Sequence, residues 1–196
     1  GGLTSFMLMS FFIGLIGFTT ALVAQHLGAK RKKDCAVVLT QAVIFSCAAY
    51  PLILLLRPAA FRLFAIMGLG HGQLQPQTFY LSILLYGSII SLMRTAISGF
   101  FTGIGRTRIV MLASVAAMIT NVCLDYVLIF GKFSFPALGI RGAAYATIAG
   151  GVVGLTILCA AYFSSRNREE YDVTRSFRFD RILALKLFRY GSPTGL

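Results

Sequence analysis

Charge is what this sequence has least of. Only 12% of its 196 residues are charged, and just six of those are acidic. Ordinary globular domains carry about a quarter charged residues, so the composition excludes a water-soluble domain. Histidine is nearly absent, with His26 and His71 both at polar edges, and the four cysteines show no C-x-x-C spacing. That leaves no pattern for a zinc site or a disulfide framework. Cys35, Cys47, Cys123 and Cys159 all fall in or beside apolar runs and read as small apolar fillers. The opening "GGLTSFMLMS" has no initiating Met, no basic leader and no cleavage site.

What the chain has instead is apolar length. It is 57% hydrophobic, with a mean hydropathy of +0.81. Long apolar runs cover residues 2–27, 35–56, 79–103, 108–130 and 139–163. Each is long enough to cross a hydrocarbon layer of about 30 Å at about 1.5 Å per residue. The predicted class is an all-α integral membrane protein, a polytopic bundle of five spans embedded in membrane lipid.

The net charge of +12 sharpens this reading through its placement. Lys30, Arg31, Lys32 and Lys33 separate spans one and two, Arg106 and Arg108 separate three and four, and seven more basic residues follow span five. The opposite connections hold Arg57, Arg62, Lys132 and Arg141. Alternation of this kind is the positive-inside rule, and it puts loops 28–34 and 104–107 and residues 164–196 in the cytoplasm. A nucleic-acid patch would leave the alternation unexplained, so no nucleic-acid partner is expected. The same topology starts span one outside the cell, from which we expect a further span upstream. The stretch 181–196 is too short to cross and reads as the approach to another helix.

Lipid gives helices no hydrophobic reason to associate, so small residues must let them approach. Span three carries Gly87, Ser91, Thr95, Gly99 and Gly103, and span five carries Gly142, Ala146, Gly150 and Gly154, both at four-residue spacing. Each set reads as a contact seam. Loop 57–78 reads as a short interfacial helix followed by a turn.

Packing does not explain "MITNVCLDYVLIFG", residues 118–131. Asn121 and Asp125 stand one turn apart on one helix face. Asp125 falls about 9 Å from the middle of its span, still within hydrocarbon. An ionised carboxylate there needs a wet cavity or a cation; otherwise it holds a proton. Span five returns after a connection of about eight residues and brings Thr147 to a similar depth. Three oxygen-bearing side chains suit Na⁺ or H⁺ and not a transition metal. The plainer alternative is a protonated Asp125 making one interhelical hydrogen bond. Arg94 lies near the middle of its own span, about 13 Å in depth from Asp125, either snorkelling or lining a cavity.

Four segments then carry a resemblance. "TTALVAQHLGAK" (19–30), "RTAISGFFTGIGRTRIVM" (94–111), "NVCLDYVLIFG" (121–131) and "FPALGIRGAAYAT" (135–147) resemble the MATE family, the multidrug and toxic compound extrusion transporters. The likeness implies about twelve spans in two pseudo-symmetric lobes around a central cavity. Residues 1–163 would be helices two to six of the N-terminal lobe, and 164–196 a cytoplasmic linker with the start of the next helix. The first helix and the C-terminal lobe would be partners from the same protein. The implied activity is export of organic, often cationic, drug-like compounds across the cell membrane by alternating access, in exchange for Na⁺ or H⁺. No cofactor beyond that coupling ion is implied. The family's ion site is similar to Asn121, Asp125 and Thr147. A lipid-linked oligosaccharide flippase of related fold is the nearest alternative, but only Arg94 is cationic at mid-span. A membrane-embedded protease or acyltransferase would need a second mid-span acid or a histidine, so no enzyme is expected. A structural or channel protein would tolerate Asp125→Asn.

Overall fold

The computed structural model describes residues 2–58, 71–133 and 135–194, and among them it is helical throughout with no strand. The membrane-length helices are α1 (Gly2–Gly17) with α2 (Thr19–Gly28), α3 (Lys32–Leu55), α4 (His71–Tyr86) with α5 (Ser88–Gly103), α6 (Thr107–Phe130) and α7 (Ile140–Tyr162). Two short helices follow, α8 (Ser165–Glu170) and α9 (Arg181–Gly191). Four helices are long and apolar enough to cross a bilayer, and a fifth crossing is reached if α4 and α5 count together.

One of the expected spans is not a single rod. The first runs through α1 and α2 with its backbone ladder intact, Phe18 N–H donating to Gly14 O, and Met9–Gly28 makes one crossing. Thr19 turns its hydroxyl back onto the Ile16 carbonyl. The third span bends by 44° between Tyr86 and Ser88. Gly87 stands at the bend because a Cβ there would come within 2.8 Å of the Ile148 side chain on α7. The loop predicted over 57–78 is also corrected in part. Residues 71–78 are the first turns of α4, not a turn. The interfacial helix expected before them falls mostly on residues 59–70, outside the described residues.

At the centre stands α5, packed against α1, α2, α3 and α7. Its Leu92, Ala96, Phe100 and Phe101 are completely buried. Helices α6 and α7 form the most intimate pair. A left-handed Gly131 (φ 66°) caps α6, and Leu138 N–H closes the turn onto Leu128 O at 2.9 Å. Outward, α6 exposes Met111, Leu112, Val115, Met118, Ile119 and Val122, a continuous apolar flank suited to lipid.

One small-residue seam forms as the spacing predicts, and the other does not. Gly142, Ala146, Gly150 and Gly154 are all buried, and a Cβ on Gly142 or Gly150 would strike the backbone of α6. The set on the third span splits. Gly87 meets α7, Gly99 meets Thr19 and Thr20, and Gly103 meets Val23. Each four-residue step turns about 40° around a helix, so five such positions sweep across several neighbours. The bend at Gly87 widens the sweep.

Residues 164–194 are docked on the bundle. Glu170 accepts from Lys32 Nζ at 2.9 Å and from Arg106 Nη2 at 2.7 Å, so α8 bridges two basic turns. Arg106 also reaches Asn167, and the Phe100 ring meets Tyr162 and Tyr171 edge-on. The Gln41 amide donates to Arg178 O at 2.8 Å. Asp180 caps α9 by accepting from the N–H groups of Ile182 and Leu183.

Candidate functional site

The site grows out of the α6–α7 seam. Gly150 sits against the Ala117 carbonyl and Asn121, Gly154 against Ala117, and Gly142 against Leu128. In this antiparallel register Ala146 stands opposite Asp125, and Thr147 is the next residue along. Asn121 therefore faces Gly150, Asp125 lies one turn further along the seam, and Thr147 on α7 falls between those two levels.

They are not joined by hydrogen bonds. Thr147 is exposed and donates to Ala143 O of its own helix at 2.9 Å. Asn121 and Asp125 are half-buried, and Asp125 Oδ1 and Asn121 Nδ2 are buried with no partner. A shielded, unsatisfied carboxylate oxygen is costly in a low-dielectric layer unless a cation or a proton meets it. Asp125 can supply charge and the Asn121 amide a neutral oxygen to either, whereas the Thr147 hydroxyl is turned onto its own helix. Among the described residues, no cluster of three histidine, cysteine or acidic side chains could hold a metal ion.

Arg94 takes no part in that level. Its guanidinium lies over Gly154, where a Cβ would be 3.1 Å from Nε and 3.2 Å from Cζ. Gly154 touches Ala117, two turns from Asp125, so the two charges are about 12 Å apart along the helix. The Arg94 side chain reaches across onto α7. It borders a groove of about 410 Å³ between the α1–α2 junction and α5, lined also by Thr20, Ser91, Thr95, Ser98 and Thr102. The sequence reading took Ser91 and Thr95 for packing residues and passed over Ser98, Thr102 and Thr20. Ser91, Arg94, Thr95, Ser98 and Thr102 recur at helical spacing, the signal that marks a polar stripe. Glu170 was also missed, because its role depends on two loops far from it in sequence.

The family model that describes the MatE family matches residues 2–127. The chain belongs to the MatE family. A probable multidrug resistance protein NorM of Bacillus anthracis is 36% identical over 143 residues, covering 69% of this chain and 30% of that protein. An inward-facing multidrug resistance MATE transporter of the MOP superfamily superposes with a TM-score of 0.85 at 26% identity, over 98% of this chain and 43% of that one. An outward-facing one superposes with 0.86 at 27% identity, over 99% and 43%. The chain thus spans about 30% of the length of the curated relative and 43% of these solved transporters. Like other MatE proteins it is a multi-pass, all-helical membrane protein. Its fold superposes on both the inward-facing and the outward-facing transporter.

Proposed function

We propose that this chain is one lobe's worth of an exporter that exchanges Na⁺ or H⁺ for organic, often cationic, drug-like compounds across the cell membrane. Residues 1–163 act as helices two to six of the N-terminal lobe, and 164–196 as the link to the next helix. By the positive-inside rule, loops 28–34 and 104–107 and residues 164–196 lie in the cytoplasm. The remaining helices of the complete protein supply the rest of the cavity. The observation that carries the reading is Asp125: an intramembrane carboxylate with a buried, unpartnered oxygen, beside Asn121 on a helix locked to α7 by glycines.

The mechanism follows from what this carboxylate can do. Entry of Na⁺ or H⁺ neutralises Asp125, with Asn121 one turn away on the same face and Thr147, once it leaves the Ala143 carbonyl, as the neutral oxygens. Neutralisation removes the cost of closing the lobe around a charge. It drives alternation only if the ion binds one conformation more tightly than the other. Likeness to both inward- and outward-facing MATE transporters supports a lobe that moves as a body around its cargo. Arg94, two turns away, lines the cargo side.

The test uses the complete transporter in proteoliposomes, with uptake of a fluorescent cationic dye driven separately by Na⁺ and proton gradients. Asp125→Asn should abolish gradient-driven uptake while leaving dye binding intact, and the effective gradient names the ion. Wild-type transport in the variant would reduce Asp125 to a packing residue.

A further inference from the structure

A second groove opens on another face of α5, away from Arg94. Met93 and Ile97 line it, about 140° around the helix from the stripe of Ser91, Arg94, Thr95, Ser98 and Thr102. Leu39, Val43 and Ile44 of α3 form the facing wall, and the groove holds about 430 Å³. Sites of that size bind small molecules when they are mostly apolar with a few placed polar groups. The three α3 positions lie about 10 to 18 Å along the helix from Lys32. The groove therefore reaches, from the basic end of the bundle, through about the 15 Å depth of one hydrocarbon leaflet.

Its roof is the segment between α8 and α9. Phe177 stacks on Phe163 at the end of α7, with ring centroids 6.5 Å apart. The segment is held in place by the Gln41 amide, which donates to Arg178 O at 2.8 Å, and by Arg178 N–H donating to Ser176 O at 2.7 Å. Phe177 and Phe179 nevertheless remain 63% and 66% exposed, and Arg178 stands between them at the mouth of the groove. No carboxylate lines this groove. Among the described residues, none of the ion pairs uses Arg175, Arg178 or Arg181. The acids of this stretch are engaged elsewhere: Glu170 with Lys32 and Arg106, Asp172 with Lys33, and Asp180 with the first turn of α9.

An unpaired guanidinium between two exposed rings, over an apolar slot one leaflet deep, matches an amphiphile with an anionic head. A soluble anion would leave the slot unused, and a neutral lipid would leave the guanidinium unmatched. Basic pockets between membrane helices on the cytoplasmic side hold anionic headgroups for this reason. We propose that the groove binds one anionic phospholipid of the cytoplasmic leaflet, with an acyl chain between α3 and α5 and its phosphate on Arg178. The bound lipid holds residues 176–181, the approach to the next helix, against the bundle. The inference uses the proposed topology and does not depend on exchange of an ion for a drug.

The test places the complete transporter in phosphatidylcholine nanodiscs with a trace of photoactivatable lipid. The probe is phosphatidylglycerol or phosphatidylcholine carrying the same diazirine-bearing acyl chain, and labelled peptides are identified by mass spectrometry. The anionic probe should label residues 39–44, 93–97 and 159–163 about fivefold more than the neutral one. Residues 52–55, at the other end of α3, should label alike with both. Arg178→Gln should abolish the excess, and Arg178→Lys should keep most of it, because a phosphate also accepts a point charge. Arg189→Gln removes a charge from the same surface but not from the groove, and should leave the excess unchanged. Ile44→Trp should block the slot and lower labelling of 93–97 with Arg178 intact. Equal labelling by both probes, or an excess that survives Arg178→Gln, would overturn the proposal. A fall as deep with Arg189→Gln would replace it by diffuse attraction to a basic surface, and competition by inorganic phosphate would replace the lipid by a free anion. Labelling needs no gradient, so a failure of dye uptake would leave this result standing.

Discussion

A single methyl group distinguishes the two neighbouring glycines in the middle of α7. At Gly150 a Cβ would stand 2.6 Å from the Ala117 carbonyl, a backbone atom that cannot swing aside. At Gly151 the nearest atom is Ile90 Cγ2 at 3.2 Å, the end of a side chain that can turn. Overpacking against an immobile neighbour costs about 1–3 kcal/mol. Gly150→Ala should therefore lower the thermal unfolding midpoint of the detergent-solubilised transporter by several degrees, and Gly151→Ala should leave it nearly unchanged. Equal shifts would show that α6 and α7 can slide apart, and the fixed register between Asp125 and Ala146 would go with them. The spacing of Gly142, Ala146, Gly150 and Gly154 announced a seam, because four-residue steps keep to one side over three turns. Which residue faced Asp125 was not legible, since register depends on the length and turn of 131–139.

Elements show where local chemistry and long-range chemistry part. Asp180 at the start of α9 is a local signal: its carboxylate takes two N–H groups of the first turn. Glu170 is the opposite case, useless within its own six-residue helix and meaningful only because Lys32 and Arg106 reach it. Hydrogen bonding from Lys32, with the nearby Arg106 charge, holds the Glu170 carboxyl below the usual glutamate value. A depressed folded-state pKa stabilises docking above the ordinary glutamate range, and the stabilisation is lost as pH falls through the lowered value. The protection of residues 165–175 against amide hydrogen exchange, relative to the intrinsic rate at each pH, should thus fall on acidification, and Glu170→Gln should lower it already at neutral pH. Slow exchange in the variant would assign the docking to the Phe100–Tyr171 contact instead. The bend at Gly87 was equally hidden, because an apolar run keeps its composition through a kink.

Across the whole molecule, these helices superpose on inward- and outward-facing transporters with nearly equal TM-scores, as expected if the proposed lobe moves as a body. Spin labels on exposed positions of α3 and α6, such as Leu52 and Val122, should keep one distance distribution when the complete transporter is cycled between low and high Na⁺ or proton concentration. A shift between them would mean that the lobe itself deforms.

Composition, run length and the alternation of basic loops determined that this is a polytopic helical membrane protein, because the bilayer leaves a chain so poor in charge few other forms. The isolated Asn121–Asp125 pair was equally plain, since a carboxylate in an apolar run stands out in one dimension. Only the tertiary structure decided what these residues meet. It turned Thr147 outward onto its own helix and laid Arg94 over Gly154 beside a hydroxyl wall. It also gathered Lys32, Arg106 and Glu170 into one node. Periodicity tells which side of a helix a residue is on, but the neighbour on that side is chosen by bends, register and glycine contacts between helices.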